Sequence, residues 1–561
     1  MFKLWGAFLV GALLLAGCLW RGRGGEAPLP KDAVLYVADR VRTLDEAAPL
    51  AQAFAVANGR FVAVGSQEEV RRAVGKEARE VQLGAVTVIP GLEDAHGHLL
   101  GLGRALGTID LSGTRSLAEA QERIRAAPPS SFQGEWLIGR GWDQNDWAEL
   151  GGRFPDRQTL DALWPDRPVA LTRVDGHAYW VNSEALRRAK LTRESPEPEG
   201  GRILRDAQGE PTGVLVDNAM ERVNAVIPQP GDEDRQRWLT AAMTRCAQLG
   251  LTAVHDAGMD LATFSLLQQW DALDALPLRI YGMVDGSSPD AEQLLDRGPF
   301  QGRKLSLQAV KFWADGALGS RGAALHAPYS DEPGHHGLLL LTPEELEDRA
   351  AAFMRAGYQV AIHAIGDRAN TLAIDLLARN AEETNTQHLR HRIEHLQIVR
   401  PEDLPRMKAA GLIASMQPTH ATSDMPWAEA RVGSQRLPGA YAWRSVLDAG
   451  IPLAFGSDFP VERPDPLHGL YAARTRQDAQ GQPPGGWLPD QRLTGEEALR
   501  AFTVGSAFAA QAETRRGRIA LDLAADFVVL PVDPVDGPPL EVRNQAVLLT
   551  VVAGQVVFRA P

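Results

Sequence analysis

The sequence predicts an α/β fold: a (β/α)8 TIM barrel with a small β-sandwich domain built from both chain termini and an inserted subdomain between the first and second barrel strands. Three observations predict it. Apolar runs that end in polar residues recur eight times. Several of them follow a glycine that closes a helical stretch, the alternation that parallel β/α units require. Short β-rich segments around tight turns stand at both ends of the chain, and neither is large enough to fold alone.

At 561 residues the chain has room for more than one domain. Its 44% hydrophobic and 23% charged residues are ordinary for a globular protein. A net charge of −13 leaves no basic footprint for nucleic acid and reads as a solvated surface. The only cysteines are Cys18 and Cys246, so neither a disulfide framework nor a cysteine-rich zinc site is available. A metal must sit on histidine, carboxylate or modified side chains.

Residues 1–17 read as a signal peptide rather than as part of the fold. Lys3 opens a positive start, and the apolar stretch from Leu4 to Leu14 is too short for a spanning helix. Leu15-Ala16-Gly17-Cys18 resembles the lipobox of bacterial lipoprotein signals. That resemblance implies cleavage before Cys18, lipid on its sulfur, and an exported protein anchored to the cell envelope on its periplasmic or extracellular face. A plain secretory signal with an incidental cysteine is the alternative. Residues 18–31, rich in Gly, Arg and Pro, read as a tether.

Residues 32–86 and 515–561 are expected to form the small β domain. Asn58-Gly59 stands between Phe54-Ala55-Val56-Ala57 and Arg60-Phe61-Val62-Ala63-Val64, a strong signal for a two-residue hairpin. Asp526 to Leu530 and Thr550 to Phe558 supply matching strands. The barrel is assigned to 87–514. Its first strand, Val86 to Ile89 and onward through Pro90-Gly91, carries His96 and His98. A long interval follows, with an insertion at about 105–240 placed over the barrel mouth. Gly250, Gly357, Gly411 and Gly450 each lead into a further strand, and Thr342-Pro343-Glu344-Glu345 and Thr494-Gly495-Glu496-Glu497 carry capping-box spacing. The eight strands end near His98, Asp256, Val284, Lys311, His363, His395, Gln417 and Asp458. A doubly wound sheet is the rival architecture.

In such a barrel, chemistry belongs to the C-terminal strand ends. His96 and His98, one residue apart on an extended chain, face one side and supply half a ligand set; alone, they could equally be a surface turn. Lys311, His363, His395 and Asp458 end other strands. This set, in this order, resembles the amidohydrolase superfamily, and in particular its amidohydrolase-3 branch, which contains N-substituted formamide deformylases. Gly141-Trp142-Asp143, Asp175-Gly176-His177, Gly213-Val214-Leu215 and the Lys311 to Gly319 segment extend the resemblance over nearly the whole chain after the signal.

The resemblance implies a two-metal centre, usually zinc (Zn2+). His96, His98 and Asp458 would hold one ion, His363 and His395 the other, and Lys311 would bridge them as a carbamate. An ordinary lysine paired with Asp315 is the alternative for Lys311. Asp458 would be the catalytic base. Trp142, Asp143, Asp175, His177 and Asp315 are the candidate substrate-binding residues. Asp94 is expected to orient a ligating imidazole, and Asp315 could do the same on the fourth strand. His335-His336 reads as loop, outside the metal site, and His255 ends a strand with no assigned role. The expected activity is hydrolysis of a C–N bond in a small amide or N-acyl amine, an N-substituted formamide among them. A metal-dependent esterase and a non-catalytic exported binding lipoprotein are the alternatives. The expected partners are a small-molecule substrate and, through Cys18, a membrane; nucleic acid is not expected, and the oligomeric state is left open.

Overall fold

The computed structural model describes residues 32–128, 131–228 and 231–561. The signal peptide, the tether and the lipid site at Cys18 lie outside the described residues. Among those residues, no helix is long and apolar enough to cross a membrane.

Eight parallel strands form the barrel: β1 (Leu92–Gly97), β2 (Leu251–Met259), β3 (Arg279–Asp285), β4 (Leu305–Trp313), β5 (Gln359–Ala364), β6 (Arg392–His395), β7 (Ile413–Met416) and β8 (Leu453–Phe455). Each is hydrogen-bonded in parallel to the next. Gly250, Gly357, Gly411 and Gly450 all have positive φ, between 66° and 89°, and so turn the chain from helix into β2, β5, β7 and β8. Helix Pro343–Arg355 begins with the capping box of Thr342 and Glu345.

The seam between β8 and β1 closes just beyond the strand ends. Gly97 bridges Phe459, the His98 amide donates to the Phe459 carbonyl at 2.8 Å, and the Asp458 amide donates to the His96 carbonyl at 2.7 Å. The same bonds that shut the barrel therefore hold His96, His98 and Asp458 together. Gly456 permits this approach: a Cβ there would lie 2.5 Å from both the His96 amide nitrogen and the Asp94 carboxylate.

The terminal domain is one seven-stranded sheet. Its order is 555–559, 549–552, 527–530, 79–90, 34–42, 50–57 and 60–65. Asn58 and Gly59 both take positive φ, 50° and 71°, and make the hairpin turn. The sheet curls on itself. Phe61 and Phe527 lie on strands with three others between them, about 19 Å apart in a flat sheet at about 4.8 Å per strand. Their rings are 6.4 Å apart, and Phe54 lies 4.9 Å from Phe527. Arg279–Asp526 and Arg516–Glu93 ion pairs fasten this domain to the barrel floor.

The insertion builds its own sheet, in the order 201–205, 211–217, 178–181, 169–173, 136–142 and 109–110. Its core stacks Trp142 and Trp147 edge-on against Trp180, at 6.2 and 6.0 Å, all three fully buried. It docks across the barrel mouth through Arg140, whose guanidinium donates both to the Pro460 carbonyl beyond β8 and to the Val174 carbonyl.

Candidate metal centre

The C-terminal ends of β1, β4, β5, β6 and β8 converge. The His395 ring stands 4.7 Å from His96 and 4.5 Å from His363, and His96 and His98 are 5.5 Å apart. His98 Nε2 contacts Asp458 Oδ1 at 3.0 Å, and His96 Nε2 lies 3.5 Å from the same oxygen. Ligand atoms of His96, His395 and Asp458 all lie within 4.8 Å of one another. Lys311 is fully buried, with its amine 4.7 Å from the Trp313 ring centre. His395 and Asp458 adopt left-handed backbone angles, φ 74° and 59°. For non-glycine residues that is strain, of about 1–3 kcal/mol each, which persists only where surrounding structure imposes it.

Hydrogen bonds set which nitrogen of each ring is free. His96 Nδ1 bonds Glu394 Oε2 at 2.5 Å, and His395 Nδ1 bonds Gln417 Oε1 at 2.9 Å. With those protons donated, each Nε2 keeps its lone pair. Glu394 is itself gripped by Arg392, at 2.7 and 3.0 Å. Arg392 also donates to Ala95 O, Ser415 Oγ and His255 Nδ1, so one buried guanidinium spans β1, β2, β6 and β7.

Burial drives the His96, His363 and His395 imidazoles well below their usual pKa, so they are neutral. Burial also opposes charge on Asp458, but the hydrogen bond from His98 Nε2 at 3.0 Å helps to outweigh it and keep the carboxylate ionised. The Lys311 amine is pushed down by burial to about 8. Buried His96 Nε2 and His363 Nε2 have no hydrogen-bond partner. Free Nε2 lone pairs on neutral His96 and His395, grouped with the ionised Asp458 carboxylate, are a donor set for a divalent metal, so these residues fit one.

Above the centre lies a cavity of about 1090 Å³, between the barrel mouth and the insertion. Asp143, Asp175 and His177 line it. Arg173 holds both carboxylates, and His177 Nδ1 bonds Asp217 Oδ1 at 2.7 Å, with its ring 5.3 Å from His363. Burial works against charge on His177, but the Asp217 bond and charge outweigh it and raise its pKa to about 9.

Three expectations need correction. Trp142 does not reach the cavity: it is fully buried in the insertion core and its Nε1 donates to Leu171 O at 2.7 Å. Its neighbours in sequence face the site because side chains alternate along the strand. Asp315 is also fully buried and spends its oxygens on the amides of Ala324, Ile365 and Gly366 at 2.8–3.0 Å. It braces the loop after β5 and lies 3.5 Å from His363 Nε2, and it neither lines the cavity nor pairs with Lys311. Asp94 orients no imidazole; it accepts from the His96 amide at 3.1 Å and from Ser457 Oγ at 2.6 Å, tying β1 to β8. Glu394 takes the imidazole role.

His335 and His336 bond backbone carbonyls in their loop, away from the centre. His255, left without a role by its motif, accepts from Arg392 beneath the site. Glu394, Gln417 and His420 escaped the sequence reading. Glu394 lay inside the Arg392–His395 motif, and Gln417 at a recognised strand end, so the rule that strand ends carry chemistry could have found both.

A family model described as "Amidohydrolase family" matches residues 79–558. The putative amidohydrolase YtcJ of Bacillus subtilis (strain 168) is 34% identical over 531 residues, covering 92% of this chain and 98% of that one. The N-substituted formamide deformylase of Arthrobacter pascens is 29% identical over 545 residues, covering 93% and 97%. A crystal structure of an uncharacterized metal-dependent hydrolase from Pyrococcus horikoshii OT3 superposes with a TM-score of 0.73 at 28% identity, covering 91% of this chain and 99% of that one.

Proposed function

The chain belongs to the amidohydrolase family, and from that premise we propose that it is a metal-dependent hydrolase cleaving the C–N bond of a small amide or N-acyl amine. N-substituted formamides are the first compounds to assay, because a 29% identical relative carries that activity in its name. The observation that carries the reading is the orphaned Nε2 of neutral His96, 3.5 Å from ionised Asp458 and grouped with His395 at the floor of a cavity.

In this proposal His96, His98 and Asp458 would hold one ion and His363 and His395 a second, both zinc, with Lys311 as a carbamate an added anionic ligand. An amine with a pKa near 8 has a neutral fraction at physiological pH, and that fraction forms an N–C bond to carbon dioxide and releases a proton. Metal held there would supply hydroxide near neutral pH, since it lowers the pKa of bound water from about 15.7 towards ~7, and would polarise a scissile carbonyl. Asp458 takes the proton of the attacking water and delivers it to the amide nitrogen, which departs as an amine. Glu394 and Gln417 hold their imidazoles in the ligating tautomer. The insertion, docked by Arg140, supplies one wall of the cavity above the centre. Export with lipid on Cys18 is part of the proposal and rests on the Leu15–Cys18 motif.

The test is metal analysis of the purified chain alongside an amide and ester panel. About two zinc equivalents per chain are expected, with amide hydrolysis abolished in Asp458→Asn. An ester-only panel result, a metal-free active chain, or full activity in Asp458→Asn overturns the reading.

A further inference from the structure

The loop after β7 brings a fifth imidazole to the centre. His420 lies in helix Pro418–Asp424, stacked on His395 at 5.9 Å, and it lines the same cavity. Its hydrogen bonding is the reverse of that of His96 and His395. His96 and His395 each bond a carboxylate or amide oxygen through Nδ1, which leaves a lone pair on Nε2. His420 Nδ1 instead accepts from Gln397 Nε2 at 3.0 Å, so the ring proton sits on Nε2. A nitrogen bearing a proton has no lone pair for a cation. His420 is therefore a donor and not a ligand, although it stands beside the ligands.

That donor has no acceptor. His420 Nε2 is buried, makes no hydrogen bond, and lies 3.7 Å from Asp458 Oδ2, beyond hydrogen-bonding range. Buried donors are almost always satisfied, and an orphan at a reaction centre is satisfied by what binds there. The partner must be an acceptor near Asp458, the group that handles the proton of the attacking water.

We propose that His420 is a further catalytic residue, whose Nε2–H donates a hydrogen bond to the substrate's carbonyl oxygen as that oxygen takes on negative charge. The proposal rests on the hydrolase reading above. Gln397 acts through His420: it is a positioning residue that fixes the tautomer. A donor pre-aimed at a developing oxyanion strengthens its bond in the transition state, so its loss falls on kcat rather than on KM.

His420→Phe keeps the ring and removes the donor, and His420→Gln restores an N–H. The expected result for His420→Phe is a loss of about 100-fold or more in kcat with zinc content and Tm at the wild-type level and KM changed less than about threefold. His420→Gln recovers about tenfold of that loss. Calorimetric affinity for a tetrahedral phosphonate analogue falls by the same factor as kcat. The loss is equal for alkylamides and p-nitroanilides, because the carbonyl oxygen is common to both. Wild-type kcat in His420→Phe overturns the assignment, as does loss of zinc, which would make His420 a ligand. A loss confined to alkylamides also overturns it, by moving His420 to the leaving amine. If the wild type hydrolyses no amide, the hydrolase reading falls and this assignment with it; an active wild type with an unaffected His420→Phe removes His420 alone.

Discussion

Glu394 Oε2 meets His96 Nδ1 at 2.5 Å, across 298 residues of chain, with both side chains fully buried. This contact determines that His96 turns its unprotonated Nε2 to the centre. Replacing Glu394 by Gln weakens the acceptor while keeping its shape. Zinc affinity is expected to fall by about 10–100-fold, measured by chelator competition. Unchanged affinity would mean that the contact does not hold the ligand.

Arg392 is the only cation in hydrogen-bonding contact with Glu394 among the described residues. Arg392→Met leaves the carboxylate buried and unpaired, and three further acceptors unserved. Stability is expected to fall by about 3–5 kcal/mol, read from urea denaturation. A change under about 1 kcal/mol would show that the network is energetically idle.

Trp142 supports the insertion and not the substrate. Trp142→Ala is expected to cost about 3–5 kcal/mol through the lost packing against Trp180, with Tm falling while KM for substrate holds in the protein that stays folded. A raised KM at unchanged Tm would restore Trp142 to the cavity wall.

The His177–Asp217 bond makes stability depend on pH. His177 has a pKa near 9 when folded, against about 6.5 in the unfolded chain. Because the folded value is the higher, the folded state binds the proton more tightly. The stabilisation is complete below about pH 6.5 and is lost as pH rises through about 9. Denaturation of wild type and His177→Gln across that window should show their stability difference shrinking with rising pH. A difference that grows with pH contradicts the pairing.

The frame of the site was readable because it obeys local rules. A glycine at the helix end and a polar residue at the strand end are short-range signals, and they located His96, His98, Lys311, His363, His395 and Asp458 at strand ends that the barrel brings to one side. What the sequence hid are relationships between strands. Glu394 reaches His96, and Gln417 reaches His395, only after neighbouring strands set their register. Asp94 is two residues from His96, yet its carboxylate serves the β1–β8 seam. Trp142 was misplaced because a motif next to site residues does not tell which face of its strand a side chain takes. The curl that brings Phe61 to Phe527 likewise follows from sheet twist accumulated over several strands.

The most direct test of the shared centre is anomalous diffraction at the zinc edge from crystals of the zinc-loaded protein. Two peaks are expected at the barrel mouth, one bonded to His96, His98 and Asp458 and the other to His363 and His395, with the Lys311 side chain between them. Zinc bound elsewhere, at His335 and His336 for example, or no peak among these five residues, would contradict the account.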